Sequence, residues 1–188
     1  MRIEVVSIGS VDRSVVEYLV HLLSERFNED VGVGPAIPIE LFHVDDLRRQ
    51  YRSTSMLRAL SDVRHFDEVL LGVADVDLYV PSLNFVFGEA DPANRVAVVS
   101  VTRLRPSYYG LQDDHQLFLE RVGKEAVHEL GHIYHLKHCA QRICVMFFSN
   151  SLAETDLKEN EFCQMCQKYL ATLDADHQKI THATVSER

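Results

Sequence analysis

Apolar positions along this chain fall into two kinds of block: short continuous runs, and longer runs at helical spacing. Ile3 to Ile8 is short, apolar and β-branched, which predicts a strand. Ser10 or Asp12 can cap the helix that follows, where Val15, Val16, Leu19, Val20, Leu23 and Phe27 recur on one face. Gly and Pro punctuate Gly32 to Pro38 and predict a loop. Ile39 to Val44 predicts a second strand and Asp45 to Leu60 a second helix. Glu68 to Val80 is a long apolar run with Gly72 inside it, which predicts one buried strand. Asn84 to Ala90 and Arg95 to Thr102 predict two more, joined by a turn at Asp91-Pro92-Ala93-Asn94. Strands interleaved with helices predict an α/β layer with a mostly parallel sheet. The short final turn makes one strand antiparallel and places it at an edge.

From Asp113 to about Tyr134 the pattern becomes helical, with Leu119, Val122, Ala126, Leu130 and Ile133 in one stripe. His128 and His132 lie roughly opposite that stripe. A helix that uses both faces is sandwiched between layers, here the sheet and a C-terminal lobe. Beyond His135 the apolar pattern is sparse until a helix expected near Glu159 to Leu173. The tail from Asp174 is polar and is expected to be mobile. The chain therefore reads as one domain, with an upper lobe over about residues 1–134 and a lower lobe over about 135–188.

Composition narrows the partners. The 188 residues are 46% apolar and 25% charged, with a net charge of -9 from 28 acidic and 19 basic residues. No run of Lys/Arg exceeds two, which argues against nucleic-acid binding. No segment approaches the roughly 18 apolar residues that a membrane span needs. Glu4 and the short first apolar run argue against a signal peptide. No pro-segment is expected ahead of the first strand, and the expected setting is a cytoplasmic monomer. In that compartment four cysteines read as metal ligands before disulfides.

The chemistry concentrates in His128-Glu129-Leu130-Gly131-His132 and the stretch up to His138. Residues four apart share a helix face, so two imidazoles at that spacing can reach one zinc. Glu129 points beside such a metal, as suits a carboxylate that takes a proton from water. A catalytic zinc typically has three protein ligands and an open position. His138 can supply the third only if the chain turns after about Tyr134, because a continuing helix would carry it about 9 Å along the axis. His135, three residues from His132, is the alternative third ligand. His21, His43, His65 and His115 have no such partner in sequence.

Cys139, Cys144, Cys163 and Cys166 are separated by four, eighteen and two residues. Two close pairs across a loop of this length read as a closed tetrahedral zinc site, structural because it leaves no place for water. Binding free energy there is folding free energy for the segment that supplies the ligands.

His-Glu-x-x-His followed at six residues by His resembles the metzincin zinc signature. With Cys139, Cys144-x-Met146 and Cys163-x-x-Cys166 it resembles the archaemetzincins, as do Asn84 to Ala90 and Arg103-Leu104-Arg105-Pro106. The resemblance implies a metzincin-like α/β (α+β) catalytic domain. That is a mixed, twisted five-stranded sheet with an antiparallel edge strand, an active-site helix and a small zinc-stabilised C-terminal lobe. It assigns His128, His132 and His138 to a catalytic zinc, Glu129 as general base and acid, Met146 to a methionine turn, and the four cysteines to a second zinc. One departure is His135, where the signature usually has a glycine that lets the helix end in a left-handed turn; histidine adopts such φ values uncommonly. A tyrosine near the methionine turn that would hold an oxyanion is not evident, since Phe147 and Phe148 follow Met146.

The function expected is zinc-dependent hydrolysis of peptide bonds in peptide or protein substrates. Phe85, Val86, Phe87 and Gly88 would bind substrate by strand addition. The competing expectation is a zinc-stabilised protein-binding or regulatory module with little catalysis. The presence of Glu129 weighs against it, because a structural site has no need of that carboxylate.

Overall fold

The computed structural model describes residues 2–172. Four parallel strands form the body of the sheet: β1 (Arg2–Ile8), β2 (Asp30–Val33), β5 (Glu68–Ala74) and β8 (Val96–Ser100). β7 (Gly88–Asp91) pairs antiparallel with β8 and closes one edge, giving the order β2-β1-β5-β8-β7. This is the mixed five-stranded sheet with an antiparallel edge that the resemblance implies. Three short strands, β3 (Val44–Asp45), β4 (Gln50–Arg52) and β6 (Leu78–Tyr79), form a separate small sheet.

Strand residues alternate between two apolar cores, which is why the central runs look continuously apolar. Ile3, Val5, Val69, Leu71, Val73, Ala97 and Val99 face α1 (Arg13–Phe27) and α3 (His115–Ile133). Val6, Ile8, Leu70, Ala74, Val96 and Val98 face α2 (Ser53–Val63). Gly72 leaves room on this second face, where an added β-carbon would lie 2.8 Å from Leu60 Cδ1 and 2.9 Å from Ile8 Cδ1.

α3 starts at Asp114, whose carboxylate accepts from the Leu117 amide. Its residues are buried continuously from Arg121 to Gly131, so the expected sandwich is present. One side packs on the sheet and α1. The other meets the C-terminal segment, which contains α4 (Leu152–Leu157) and a last helix over residues 164–172.

Several expected boundaries move. Residues 39–44 are not a strand: Ile39–Leu41 forms a single 3-10 turn, and pairing starts only at Val44. The predicted helix from Asp45 starts at Ser53, because Gln50 to Arg52 are taken into β4. Part of the expected loop from Gly32 lies in β2, whose extended backbone is stabilised by pairing with β1. The run Glu68 to Val80 breaks after Ala74, where Asp75 and Asp77 turn away to pair with Arg105 and Arg103. Residues 84–87 lie outside any named strand, and only Gly88 onward joins the ladder. The predicted last helix begins at residue 164, and α4 precedes it unannounced, capped by Ser151. The tail from Asp174 lies outside the described residues.

Candidate metal centres and cleft

The end of α3 brings the histidines together. The His135 amide donates to the His132 carbonyl at 2.9 Å and the Leu136 amide to the Gly131 carbonyl at 3.0 Å. These are the two bonds of a Schellman stop, with His135 in its left-handed position at φ 62°. The turn that usually relies on glycine therefore forms here with a side chain in place. It reverses the chain so that His138, not His135, joins His128 and His132 in one cluster.

Backbone carbonyls orient the first two rings. His128 Nδ1 lies 2.7 Å from the Val145 carbonyl and His132 Nδ1 2.8 Å from the Leu136 carbonyl. A ring that donates from Nδ1 presents a lone pair at Nε2. The two Nε2 atoms are 3.2 Å apart. Tetrahedral coordination at a Zn–N bond of about 2.05 Å needs a separation of about 3.3 Å, so the pair fits zinc. His138 stacks on His128 with ring centroids 5.4 Å apart, and the candidate ligand atoms of all three residues lie within 4.8 Å of one another. Burial, then the Lys158 ammonium, push His128 well below the ordinary imidazole range, against the Val145 contact. Burial also lowers His132 and His138. All three therefore favour the neutral form that a metal requires.

Glu129 is buried beside this cluster. Burial, then the Glu125 carboxylate, push it well above the usual carboxylate range, and Lys158 opposes them. Glu125 lies one helical turn earlier and forms a buried ion pair with Lys158 at 3.0 Å, while Thr155 donates to it at 3.0 Å. A cavity of about 210 Å³ opens next to these groups. Phe85, Val86, Phe87 and Gly88 line its upper side, and Phe148 contributes to the wall.

The second constellation lies where the chain passes His138. Cys139 Sγ is 3.8 Å from Cys163 Sγ, and Cys144 Sγ is 3.8 Å from Cys166 Sγ. A tetrahedral site with Zn–S of about 2.3 Å needs S···S of about 3.8 Å, whereas a disulfide needs about 2.05 Å. All four thiols are free and form one group. Amides of Gln141 and Cys163 point at sulfurs, at 3.4 and 3.3 Å, as suits thiolates. Met146 is fully buried, packed on Gly131, and its carbonyl accepts from the Cys139 amide at 2.9 Å.

Sequence reasoning missed three residues near this region, Glu125, Lys158 and Asp77, and named Arg103 only within the family resemblance, without a role. Glu125 was legible in principle, being four residues before Glu129 on the same helix face. Lys158 gave no signal, since nothing in its neighbourhood marks a lysine that will be wholly enclosed.

Neutral imidazoles aimed at one point, a carboxylate beside them and an open cleft meet the needs of metal-assisted attack by water on a peptide. Fold and site together define a zinc-dependent metallopeptidase. The comparisons with known proteins carry the assignment further. The model for peptidase family M54 matches residues 35–172. The archaemetzincin of Methanocaldococcus jannaschii is 39% identical, with 90% of this chain and 93% of that protein covered. Among solved structures, archaemetzincin from Archaeoglobus fulgidus complexed with malonate has a TM-score of 0.77 at 42% identity, covering 90% of this chain and 99% of its own. A zinc-dependent peptidase from Methanocorpusculum labreanum has a TM-score of 0.80 at 29% identity, covering 89% and 99%. The chain belongs to peptidase family M54, the archaemetzincins. Among the described residues, no helix is long and apolar enough to cross a membrane.

Proposed function

We propose that this metallopeptidase holds two zinc ions, a catalytic one on His128, His132 and His138 and a structural one on Cys139, Cys144, Cys163 and Cys166. The convergence of three neutral imidazoles beside Glu129 carries the reading. When bound, the catalytic ion would supply Lewis acidity that polarises a carbonyl and makes water acidic near neutral pH. Glu129 takes the proton from the attacking water and returns it to the leaving amine. A carboxylate that binds protons more tightly than usual is a stronger base for the first step, and Lys158 opposes the rise that burial and Glu125 cause. Val145 and Leu136 hold the imidazole rings in the productive tautomer. Met146 forms the floor of the site as its methionine turn.

Phe85, Val86, Phe87 and Gly88 bind the substrate backbone along the upper rim. The polypeptide divides at about residue 134, with the lower lobe supplying His138, Met146 and the cysteines. Arg121 and Asp156 join the lobes through two hydrogen bonds of 2.7 Å. Four unpaired thiols fit a reducing compartment, so we place the protein in the cytoplasm, as a monomer.

The test is hydrolysis of a broad peptide library by zinc-loaded protein and by its Glu129→Gln variant, with anomalous scattering to locate each ion. Two ions, and cleavage that depends on Glu129, are expected. Cleavage undiminished in Glu129→Gln, or an ion fully enclosed among the imidazoles, would overturn the reading.

A further inference from the structure

Residues 83–87 form the upper wall of the cleft, yet they lie outside the main sheet's ladder. Their backbone is held piecemeal. The Val86 amide donates to the Leu78 carbonyl at 2.9 Å, and the Ser100 amide to the Phe87 carbonyl at 2.7 Å. Arg48 reaches the Leu83 carbonyl at 3.1 Å. Gln50, buried in β4, donates from Nε2 to the Asn84 carbonyl at 2.9 Å. The same Nε2 lies 3.1 Å from Asp77 Oδ2.

Asp77 in turn grips Arg103, which follows β8 in a 3-10 turn over Thr102–Leu104. Nε and Nη2 of Arg103 donate to the two carboxylate oxygens at 2.6 and 2.7 Å. That fork fixes the plane of the guanidinium. Its central carbon lies 4.3 Å from the Phe85 ring centroid and 5.0 Å from that of Tyr108. Phe85 then meets Phe87 edge to face, with centroids 5.1 Å apart. The contacts close a ring: Arg103 to Asp77, to Gln50, to Asn84, and through Phe85 back to Arg103.

We propose that Arg103 is a positioning residue for substrate, which locks the aromatic wall of the cleft into the shape a peptide meets. The proposal rests on the cleft being the peptide site. Phe85 is half-buried and lines the cavity, so without a partner its ring would sample several rotamers. Ordering such a side chain on binding weakens affinity, and fixing it beforehand removes that cost. The planar guanidinium adds something a point charge cannot, since one group can be forked by a carboxylate and stacked on a ring at once. Arg103 is absent from the imidazole cluster and from the residues lining the cavity, so its effect is confined to binding along the rim.

The experiment uses the zinc-loaded full chain and two probes measured by titration calorimetry. Acetohydroxamate can grip only the metal, whereas a leucine-containing tripeptidyl hydroxamate also lies along the wall. Wild-type protein is expected to prefer the tripeptidyl probe. Arg103→Lys should weaken that probe by about tenfold while acetohydroxamate stays within about twofold and metal content is unchanged. Gln50→Ala opens the ring from its other side and should produce the same selective loss, which keeps the test decisive if Arg103→Lys folds poorly. Full preference retained in both variants, or a parallel loss for both probes, would overturn the proposal. A wild-type protein without any preference would instead sink the peptide-cleft reading of function, and the role of Arg103 with it.

Discussion

Gly88 stands directly against Glu129: a β-carbon on Gly88 would lie 2.6 Å from both Cγ and Oε1 of Glu129. The edge strand therefore packs directly on the Glu129 carboxylate and defines where it can stand. Gly88→Ala should displace the carboxylate and lower kcat by about 100-fold, the effect expected of a misplacement near 1 Å. The variant should melt close to wild type and retain its metal. An unchanged kcat for peptide hydrolysis would show that Glu129 has room the structure does not reveal.

His135 adopts a left-handed backbone at φ 62° in the stop of α3. Glycine tolerates that conformation, while other residues are strained in it by about 1–2 kcal/mol. Part of any gain from glycine is offset by the greater freedom of the unfolded chain. His135→Gly should thus raise stability by about 0.5–1 kcal/mol in urea denaturation, with metal binding intact. Loss of metal from the imidazole site in this variant would mean that His135 has a ligand role after all.

Lys158 is fully enclosed and ion-paired with Glu125. Lys158→Met should leave a buried, unpaired carboxylate and destabilise the protein by roughly 3–5 kcal/mol. Combining it with Glu125→Leu removes the second charge as well, and most of the loss should be recovered, as seen by thermal or chemical melting. A double variant no better than the single one would place the cost in packing instead of charge.

Metal removal should separate the two centres. A mild chelator is expected to strip the imidazole site first, since His138 is exposed, abolishing hydrolysis while the fold persists. Removing an ion held by the four cysteines should then expose amides between Cys139 and Cys166 to hydrogen exchange, because its binding free energy would be folding free energy for this segment. Cys163→Ser should reproduce the second effect alone. Slow exchange there in the metal-free protein would refute a structural role.

The cap of α1 should carry a small acid dependence. The Ser14 amide, then its hydroxyl, hold the Asp12 carboxyl below its usual range. Its contribution is therefore present above the unfolded pKa, near the ordinary 3.8, and is lost as pH falls through the lower folded value. Asp12→Asn should flatten that part of the stability profile, and an identical acid melting curve for both proteins would exclude it.

How much of this was legible in advance follows from the range of each signal. β1, α1, β5 and β8 came through because hydrophobic period is local and each of them sends a regular set of apolar side chains into the core. β3, β4 and β6 did not, since strands of two or three residues exist only through the partner that pairs with them. The ligand sets were readable for a related reason. Metal coordination demands particular side chains at short spacing, and His128, His132 and the cysteine pairs satisfy that demand within single stretches of chain.

The sequence by itself thus determined which residues can bind metal and which faces of α3 must be covered. Tertiary structure alone decided that His138 and not His135 completes the cluster, that Gly88 stands against Glu129, and that Lys158 and Arg103 support the site. The reason is physical: donor type and helical period are properties of neighbours in the chain, whereas a reversal of direction, a close approach and the pairing of Glu125 with Lys158 depend on where distant segments come to rest.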